Sequence, residues 1–251
     1  MTDADTTYIL AFDLGTGGPK VALVSSDGDV IGHEVEKTEL ILLPGGGAEQ
    51  DPADWWRAIS TGARKLLARG LVPADRIVGI GVTAQWMGTV AIDRDGNHLA
   101  NAIIWMDARG GRYARRITKG GLINVSGYSI PKLRRWLSIT GGLPSRTGKD
   151  SIGHILFIKN EWPDVYERTY KFLEPMDYLN FRLTGIPAAS YDTITGHWLT
   201  DNRDLSNVRY VDKLIALSGV DREKLPDIHP TGAILGTITP EIAQEFGLRE
   251  D

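Results

Sequence analysis

The sequence predicts an α/β domain built around a mixed sheet, and three features of the 251-residue chain support this class. The chain opens with three strand-like segments joined by short turns, and such turns connect antiparallel neighbours. A helical segment and a fourth apolar strand-like segment follow. The second half is mostly helical in pattern, with proline and glycine between the helical segments. Together these features indicate a sheet with flanking helices.

The opening meander is predicted from apolar runs that are separated by turn residues. Tyr8–Leu14 ends at a glycine, Val21–Val24 follows a glycine-rich turn, and a third strand runs from Val30 to about Thr38. Asp27-Gly28 is a common hairpin pair between the second and third strands. We therefore expect three consecutive antiparallel strands.

The first helix and the next strands are also marked by sequence signals. Asp51 is a candidate N-cap, Pro52 suits the first helical position, and apolar residues recur at helical spacing until Gly70. The composition of 77–83 predicts a fourth strand buried on both faces, and 89–92 predicts a fifth. The later helices are expected at about 111–118, 131–140, 150–161, 175–184, 207–218 and 240–246.

Composition excludes several classes of protein. The formal net charge of −4 argues against a general nucleic-acid binder, and the absence of cysteine excludes disulfides and thiolate zinc sites. The acidic residues 1–5 do not resemble a signal peptide. The longest charge-free apolar segment, between Arg76 and Asp93, is too short and too broken to span a bilayer. We expect a cytoplasmic protein without nucleic-acid or membrane partners.

The glycine-rich turn after the first strand is the most informative segment. Asp13 ends an apolar strand, where an ionised carboxylate needs a partner or a cation. The glycines of 15–18 let backbone amides approach an anion, Thr16 adds a hydroxyl, and Lys20 adds positive charge. This combination suits magnesium and a nucleotide triphosphate. From the spacing alone, a turn capped by Asp13 beside a solvated lysine remains an equal alternative. A strand follows Lys20, so the Walker and dinucleotide motifs do not apply.

Further segments carry a resemblance to a known family. The segments are Asp13-Leu14-Gly15-Thr16 with Lys20, then 49–56 (EQDPADWW), 83–88 (TAQWMG), 103–109 (IIWMDAR) and 177–185 (DYLNFRLTG). Through these segments the chain resembles, from residue 8 to residue 248, the amino-terminal domain of the FGGY family of carbohydrate kinases, which includes xylulokinase and glycerol kinase. The resemblance implies an actin-like ATPase (ribonuclease H-like) fold, with ATP and Mg²⁺ as cofactors.

The resemblance also implies roles for individual residues. Asp13 would hold magnesium, directly or through water, while Gly15, Thr16 and Gly17 face the terminal phosphates and Lys20 supplies counter-charge. Trp105 would pack against the carbon skeleton of the sugar. Asp107 and Arg109 would form hydrogen bonds with its hydroxyl groups or hold their own loop. The expected substrate-binding residues are Gln85, Trp86, Met87, Trp105, Asp107 and Arg109.

The chain departs from the family pattern in two respects. Trp86-Met87 stands where xylulokinases usually carry Met-His and glycerol kinases carry Arg-Glu, so the acceptor remains a pentulose, another ketose or a polyol. Family enzymes are about twice as long, and their general base lies beyond the position of residue 251. We therefore expect residues 1–251 to form one lobe that lacks the carboxy-terminal lobe and is inactive alone.

Two other functions remain as alternatives. The chain could be a carbohydrate-binding or regulatory module that has lost phosphotransfer, or an actin-like ATPase acting on partners. The expected partners are a sugar or polyol, ATP and the protein's own carboxy-terminal lobe, and a homodimer is also considered. His154 stands where many family members have lysine, and we interpret it as structural. Of the adjacent Trp55 and Trp56, we expect one in the core and one partly exposed.

Overall fold

A computed structural model describes residues 6–121 and 123–250 of the chain. Residues 1–5, on which the expectation about a signal peptide rests, and Asp251 lie outside the described residues. The strands are β1 (Tyr8–Gly15), β2 (Gly18–Ser25), β3 (Val30–Val35), β4 (Ile41–Leu43), β5 (Gly47–Gln50), β6 (Ile77–Ala84), β7 (Val90–Ile92), β8 (Ala102–Ile103), β9 (Asn124–Val125), β10 (Tyr128–Ser129), β11 (Lys171–Leu173), β12 (Ala188–Ser190), β13 (Thr200–Asp201), β14 (Arg209–Tyr210) and β15 (Asp227–His229).

Helices follow the opening strands and dominate the second half. Short 3₁₀ turns lie at Ala74–Arg76, Thr195–His197 and Arg222–Lys224. The α-helices are α1 (Pro52–Ala68), α2 (Gly111–Thr118), α3 (Ile130–Thr140), α4 (Ser151–Glu161), α5 (Pro163–Arg168), α6 (Pro175–Thr184), α7 (Tyr191–Ile194), α8 (Asp212–Ser218) and α9 (Pro240–Phe246). In the part of the chain that the structure describes, no helix has the length and apolar character of a membrane span.

The central sheet is mixed, as predicted. β1, β2 and β3 form the antiparallel meander, and β6 pairs in parallel with the other edge of β1. The resulting order is β3-β2-β1-β6. The parallel register pairs Leu14 with Ala84, so the carboxyl ends of β1 and β6 meet at one edge of the sheet. This edge brings the glycine-rich turn beside the segment that starts at Gln85.

Helix α1 begins and packs as its sequence predicts. The Asp51 carboxylate accepts a hydrogen bond from the Ala53 amide at 2.8 Å, and Pro52 takes the first helical position, where no amide is needed. Trp55 and Leu66 are fully buried in a hydrophobic cluster with residues of the sheet. Burial of such side chains stabilises the fold by roughly 1.5–3 kcal/mol each.

The expectation that one of the adjacent tryptophans is partly exposed was wrong. Trp55 is fully buried, and Trp56 is also buried, at 8% exposure. The Trp56 ring lies 6.4 Å from that of Phe246 in α9, and the Arg182 guanidinium lies over it at 4.8 Å. A helix almost two hundred residues later in the chain therefore covers the second tryptophan.

Three expected strand and helix descriptions also needed correction. Every residue of β6 keeps some exposed surface, and Val78 is 61% exposed, because β6 is an outer strand of the described sheet. β3 ends at Val35 and does not reach Thr38. The helix expected at about 207–218 begins only at Asp212, as α8, because Arg209–Tyr210 pairs with Thr200–Asp201 as a strand.

A second hydrophobic cluster surrounds α4. Ile152, Ile155 and Leu156 of this helix are buried together with Trp136 of α3 and Phe172 of β11. Strand β11 pairs with β7, outside the central sheet. The cluster also contains Ile103, at the start of the segment 103–109 that is predicted to bind sugar.

Candidate active site

The turn between β1 and β2 is tighter than the sequence predicts. β1 extends to Gly15 and β2 starts at Gly18, so only Thr16 and Gly17 connect the strands. The antiparallel register sets Asp13 opposite Lys20, and Lys20 Nζ lies 3.1 Å from Asp13 Oδ2. Both side chains remain accessible, at 48% and 61% exposure. The pair therefore places a carboxylate and an ammonium group side by side at the surface beside the turn.

Glycine is required at position 18 by a close approach of two chain segments. Gly18 has a φ of +133°, and a Cβ atom there would lie 2.1 Å from the Glu36 carbonyl oxygen. A side chain at Gly17 would meet no atom within 4 Å. The turn is therefore held from one side by the 36–37 backbone and is open at Gly17.

Thr16 lies at the centre of a hydrogen-bond network that joins three segments. Its hydroxyl donates to Gln85 Oε1 at 3.1 Å and accepts from Trp105 Nε1 at 3.0 Å. Gln85 Nε2 donates to Gln50 Oε1 at 2.7 Å, and Gln50 Nε2 donates to the Thr16 carbonyl at 2.9 Å. The predicted phosphate turn and the two predicted sugar segments thus meet at one side chain.

The segment 85–88 leaves the end of β6 in a constrained conformation. The Gln85 amide donates to the Leu14 carbonyl at 2.7 Å, which continues the pairing of β1 and β6 by one residue. Met87 has a positive φ of 58°, a left-handed conformation that costs energy in a residue other than glycine. A Cβ atom at Gly88 would lie 2.5 Å from the Pro175 ring. The turn is therefore pressed against the start of α6.

A cavity of about 250 Å³ lies beside this segment. Trp86 is 49% exposed at the cavity, and its indole lies against Gly196. Trp105, at 45% exposure, is the other large exposed aromatic side chain at the predicted site. The residues that line the cavity are Thr83, Ala84, Gln85, Trp86, Glu174, Met176, Asp192 and Thr193.

Glu174, which lines the cavity, is a buried carboxylate with several partners. Its Oε2 accepts the Gly88 amide at 3.1 Å, and its Oε1 lies 3.2 Å from His197 Nε2 and accepts the Ser151 hydroxyl. Only 1% of Glu174 is exposed. Because these partners satisfy a carboxylate that would be costly to bury alone, Glu174 anchors the 85–88 turn from below.

Two buried histidines complete this cluster. His154 Nδ1 lies 3.3 Å from Thr89 Oγ1, and burial lowers the pKa of His154 to about 4, so its ring is neutral at pH 7. Within residues 6–121 and 123–250, neither His154 Nε2 nor His197 Nδ1 has a hydrogen-bond partner. The expected structural histidine is thus satisfied at only one nitrogen.

Asp107 and Arg109 hold the loop that carries Trp105. Asp107 is fully buried, and its carboxylate accepts from the Ala48 amide at 2.9 Å and from Arg109 Nε at 2.8 Å. Arg109 also donates to Glu49 Oε1 at 2.6 Å and lies 4.5 Å above the Phe157 ring. Asp107 and Arg109 were expected either to bind sugar hydroxyls or to hold their loop. Their contacts in the structure are those of residues that hold the loop.

The donor set at the hairpin suits a hydrated magnesium ion. In the described ranges, no three His, Asp or Glu side chains are grouped as a metal site would need. Mg²⁺ commonly keeps several waters and uses one or two carboxylates together with substrate phosphates. The exposed Asp13 carboxylate beside the turn fits that pattern without further protein ligands.

Sequence reasoning missed two residues of the site, Gln50 and Glu174. Gln50 lies inside the family-like segment 49–56. The feature that distinguishes it, a fully buried side-chain amide, is visible only in the folded structure. Glu174 precedes α6 and has the local pattern of a residue that begins a helix. Its partners are 23 and 86 residues away along the chain, so no local pattern identifies it.

A larger cavity lies at the opposite end of β6. It has a volume of about 430 Å³, and its lining includes Leu67 of α1, Phe246 of α9 and Leu71, which follows α1. It borders Ile77, at the start of β6, whereas Gln85 follows the end of that strand. This cavity is therefore separate from the candidate site.

Comparison with known proteins agrees with the fold and the motifs. The model of the N-terminal domain of the FGGY family of carbohydrate kinases matches residues 8–251. The chain is 26% identical to xylulose kinase of Bacillus subtilis over 97% of its length, and 29% identical to that of Escherichia coli over 95%. It spans about half, 46%, of each relative.

Among solved structures, gluconate kinase from Lactobacillus acidophilus is similar to this chain, with a TM-score of 0.83 and 21% identity. The similarity covers 98% of this chain and 46% of the gluconate kinase chain. At this level of identity the likeness concerns the fold, which is that of the actin-like ATPases.

Proposed function

Because the chain belongs to the FGGY family of carbohydrate kinases, as its amino-terminal domain, we propose that the complete protein transfers a phosphoryl group from ATP to a sugar or polyol. The observation that carries this proposal is the network at Thr16, which ties the glycine-rich hairpin to Gln85 and Trp105. Phosphoryl transfer depends on holding the donor and the acceptor in fixed relative positions. A direct hydrogen bond between the two predicted sites supplies such a constraint.

In the proposed reaction, this lobe binds the terminal phosphates and the acceptor. Asp13 would hold Mg²⁺, which supplies neutralisation of phosphate charge when bound, and Lys20 adds positive charge. Gly15, Thr16 and Gly17 would face the phosphates. An acceptor hydroxyl oxygen forms a bond to the γ-phosphorus while the bond from that phosphorus to the bridging oxygen of ADP breaks.

The remaining parts of the reaction are assigned to the carboxy-terminal lobe of the complete protein. That lobe would supply the general base that takes the hydroxyl proton and most contacts to adenosine. We further propose that the enzyme acts in the cytoplasm, and a homodimer remains a prediction. Trp86, with its exposed indole face, would pack against the sugar together with Trp105. Met87 would shape the same turn.

An ADP-release assay with a panel of sugars and polyols tests the proposal on the protein that contains both lobes. Asp13→Asn should lower turnover at least about 100-fold, as expected for loss of a metal-binding carboxylate. Asp27→Asn, at an exposed turn, is the matched control and should leave turnover unchanged.

Residues 1–251 alone should show no turnover, because the lobe lacks the base and the closed cleft. Normal turnover by this lobe alone would contradict the division of roles. Binding of sugar without any nucleotide binding by the complete protein would favour the alternative of a carbohydrate-binding module.

A further inference from the structure

We infer that the acceptor bound at the 250 Å³ cavity is a neutral polyhydroxy compound and not a sugar acid. The inference rests on the proposed function and narrows its substrate class. The fold does not decide this question, because one fold can carry sites for different ligands. A gluconate kinase has the same fold as this chain.

The lining of the cavity contains negative charge and no positive charge. Among the described residues that line it, Glu174 and Asp192 carry carboxylates, and none is lysine, arginine or histidine. Lys20 of the hairpin does not line the cavity and is already paired with Asp13. Arg109 is paired with Glu49 and Asp107. A bound carboxylate would therefore find no free cation in this lining.

A third carboxyl group, that of Asp177, lies close to the cavity, and its pKa is affected by the negative charge there. Asp177 is buried and accepts hydrogen bonds from Thr193 Oγ1, at 2.9 Å to one oxygen and 3.1 Å to the other. Burial raises the pKa of Asp177 well above its usual range, and the charges of Glu174 and Asp192 raise it further.

The same lining suits a ligand rich in hydroxyl groups. Asp192 is exposed, and its carboxylate accepts from Thr231 while keeping further acceptor capacity for a ligand hydroxyl. Gln85 and Thr83 add neutral polar groups, and the Trp86 indole offers an apolar face to a carbon skeleton. A sugar acid would place an unpaired carboxylate beside these carboxylates, which is costly.

The test compares matched neutral and acidic ligands on the full chain at constant ionic strength. Binding of glycerol and glycerate, xylitol and xylonate, and glucitol and gluconate is measured by titration calorimetry and tryptophan fluorescence. At least one neutral compound should bind, and its acid should bind at least tenfold more weakly. Met176→Lys places a cation in the lining and should reduce this ratio, whereas the matched control Met176→Leu should preserve it.

The outcomes separate the inference from the proposed function. Tighter or equal binding of the acid in every pair that binds overturns the inference and leaves a carbohydrate kinase in place. An unchanged ratio in Met176→Lys also overturns it, because the charge of the lining would then not decide the choice. If none of the six compounds binds the chain and the complete protein phosphorylates no sugar or polyol, the proposed function fails as well.

Discussion

Replacement of Glu174 tests the buried anchor beneath the 85–88 turn. Glu174 accepts hydrogen bonds from the Gly88 amide and the Ser151 hydroxyl and contacts His197, all out of water. Glu174→Leu leaves these groups without their acceptor. A buried unsatisfied polar group costs about 1–3 kcal/mol, and the variant no longer has to bury a charge, which offsets part of the loss. We expect the free energy of unfolding to fall by about 3 kcal/mol.

Glu174→Gln removes the charge but keeps part of the hydrogen-bonding capacity of the side chain. The amide keeps one acceptor oxygen and the size of the side chain, so we expect a loss of about 1–2 kcal/mol. Urea unfolding at pH 7, followed by tryptophan fluorescence, gives both values from the midpoint and slope. Hydrogen exchange at the Gly88 amide should be faster in both variants.

The exposed Glu167 provides the matched control. Glu167→Gln should unfold at the same urea concentration as the original chain, because that side chain is exposed. If Glu174→Gln and Glu174→Leu were as stable as Glu167→Gln, with unchanged exchange at Gly88, the anchoring role of Glu174 would be refuted.

Two further predictions concern the hairpin and the buried imidazole. Gly18→Ala should lower the free energy of unfolding by about 3 kcal/mol in urea titrations, because of its φ and the Glu36 carbonyl 2.1 Å away, whereas Gly17→Ala should cost under about 1 kcal/mol. The pKa of His154 is about 4 when folded and 6.5 in the unfolded reference, so its contribution is complete above pH 6.5 and is lost as the pH falls toward 4. Urea midpoints at pH 7 and pH 5 should show this loss, and His154→Gln should reduce it; equal sensitivity in both proteins would contradict the assignment.

Local signals in the sequence predicted much of the fold. The alternation of apolar runs and turns identified β1, β2 and β3, and the Asp51-Pro52 pair identified the start of α1. These elements are specified by neighbouring residues, through turn chemistry and capping. The mixed sheet followed from the same observations and was confirmed.

Burial and long-range pairing were harder to predict. The composition of β6 is that of a strand covered on both faces, yet its place at the edge of the described sheet leaves Val78 exposed. Trp56 is buried by Phe246, a residue that no nearby pattern connects to it. Whether a side chain is covered depends on which distant element packs over it, and a single sequence does not contain that pairing in a local form.

In the candidate site, too, the local sequence predicted which segments take part but not the partners of each side chain. The family-like segments predicted a phosphate turn at 13–20 and sugar-binding residues at 85–87 and 105–109, and the Thr16 contacts connect the three segments. Asp107 carries the residue type of a hydroxyl-binding group, but the Ala48 amide and Arg109 use its oxygens. Residue type predicts chemistry, whereas the partners of a side chain decide whether that chemistry faces a ligand.

The single hydrogen on Thr16 Oγ1 has a consequence for how ligands communicate. It points to Gln85 Oε1, so a phosphate oxygen that captures this hydrogen deprives the Gln85 carboxamide of its donor. Gln85 Oε1 would then be available to accept a hydrogen bond from a hydroxyl group of the acceptor. Thermodynamic linkage would make any such effect mutual, so that acceptor binding would change nucleotide affinity by the same factor. If Thr16 binds phosphate as proposed, this one O–H bond would couple the binding of nucleotide to the binding of the acceptor.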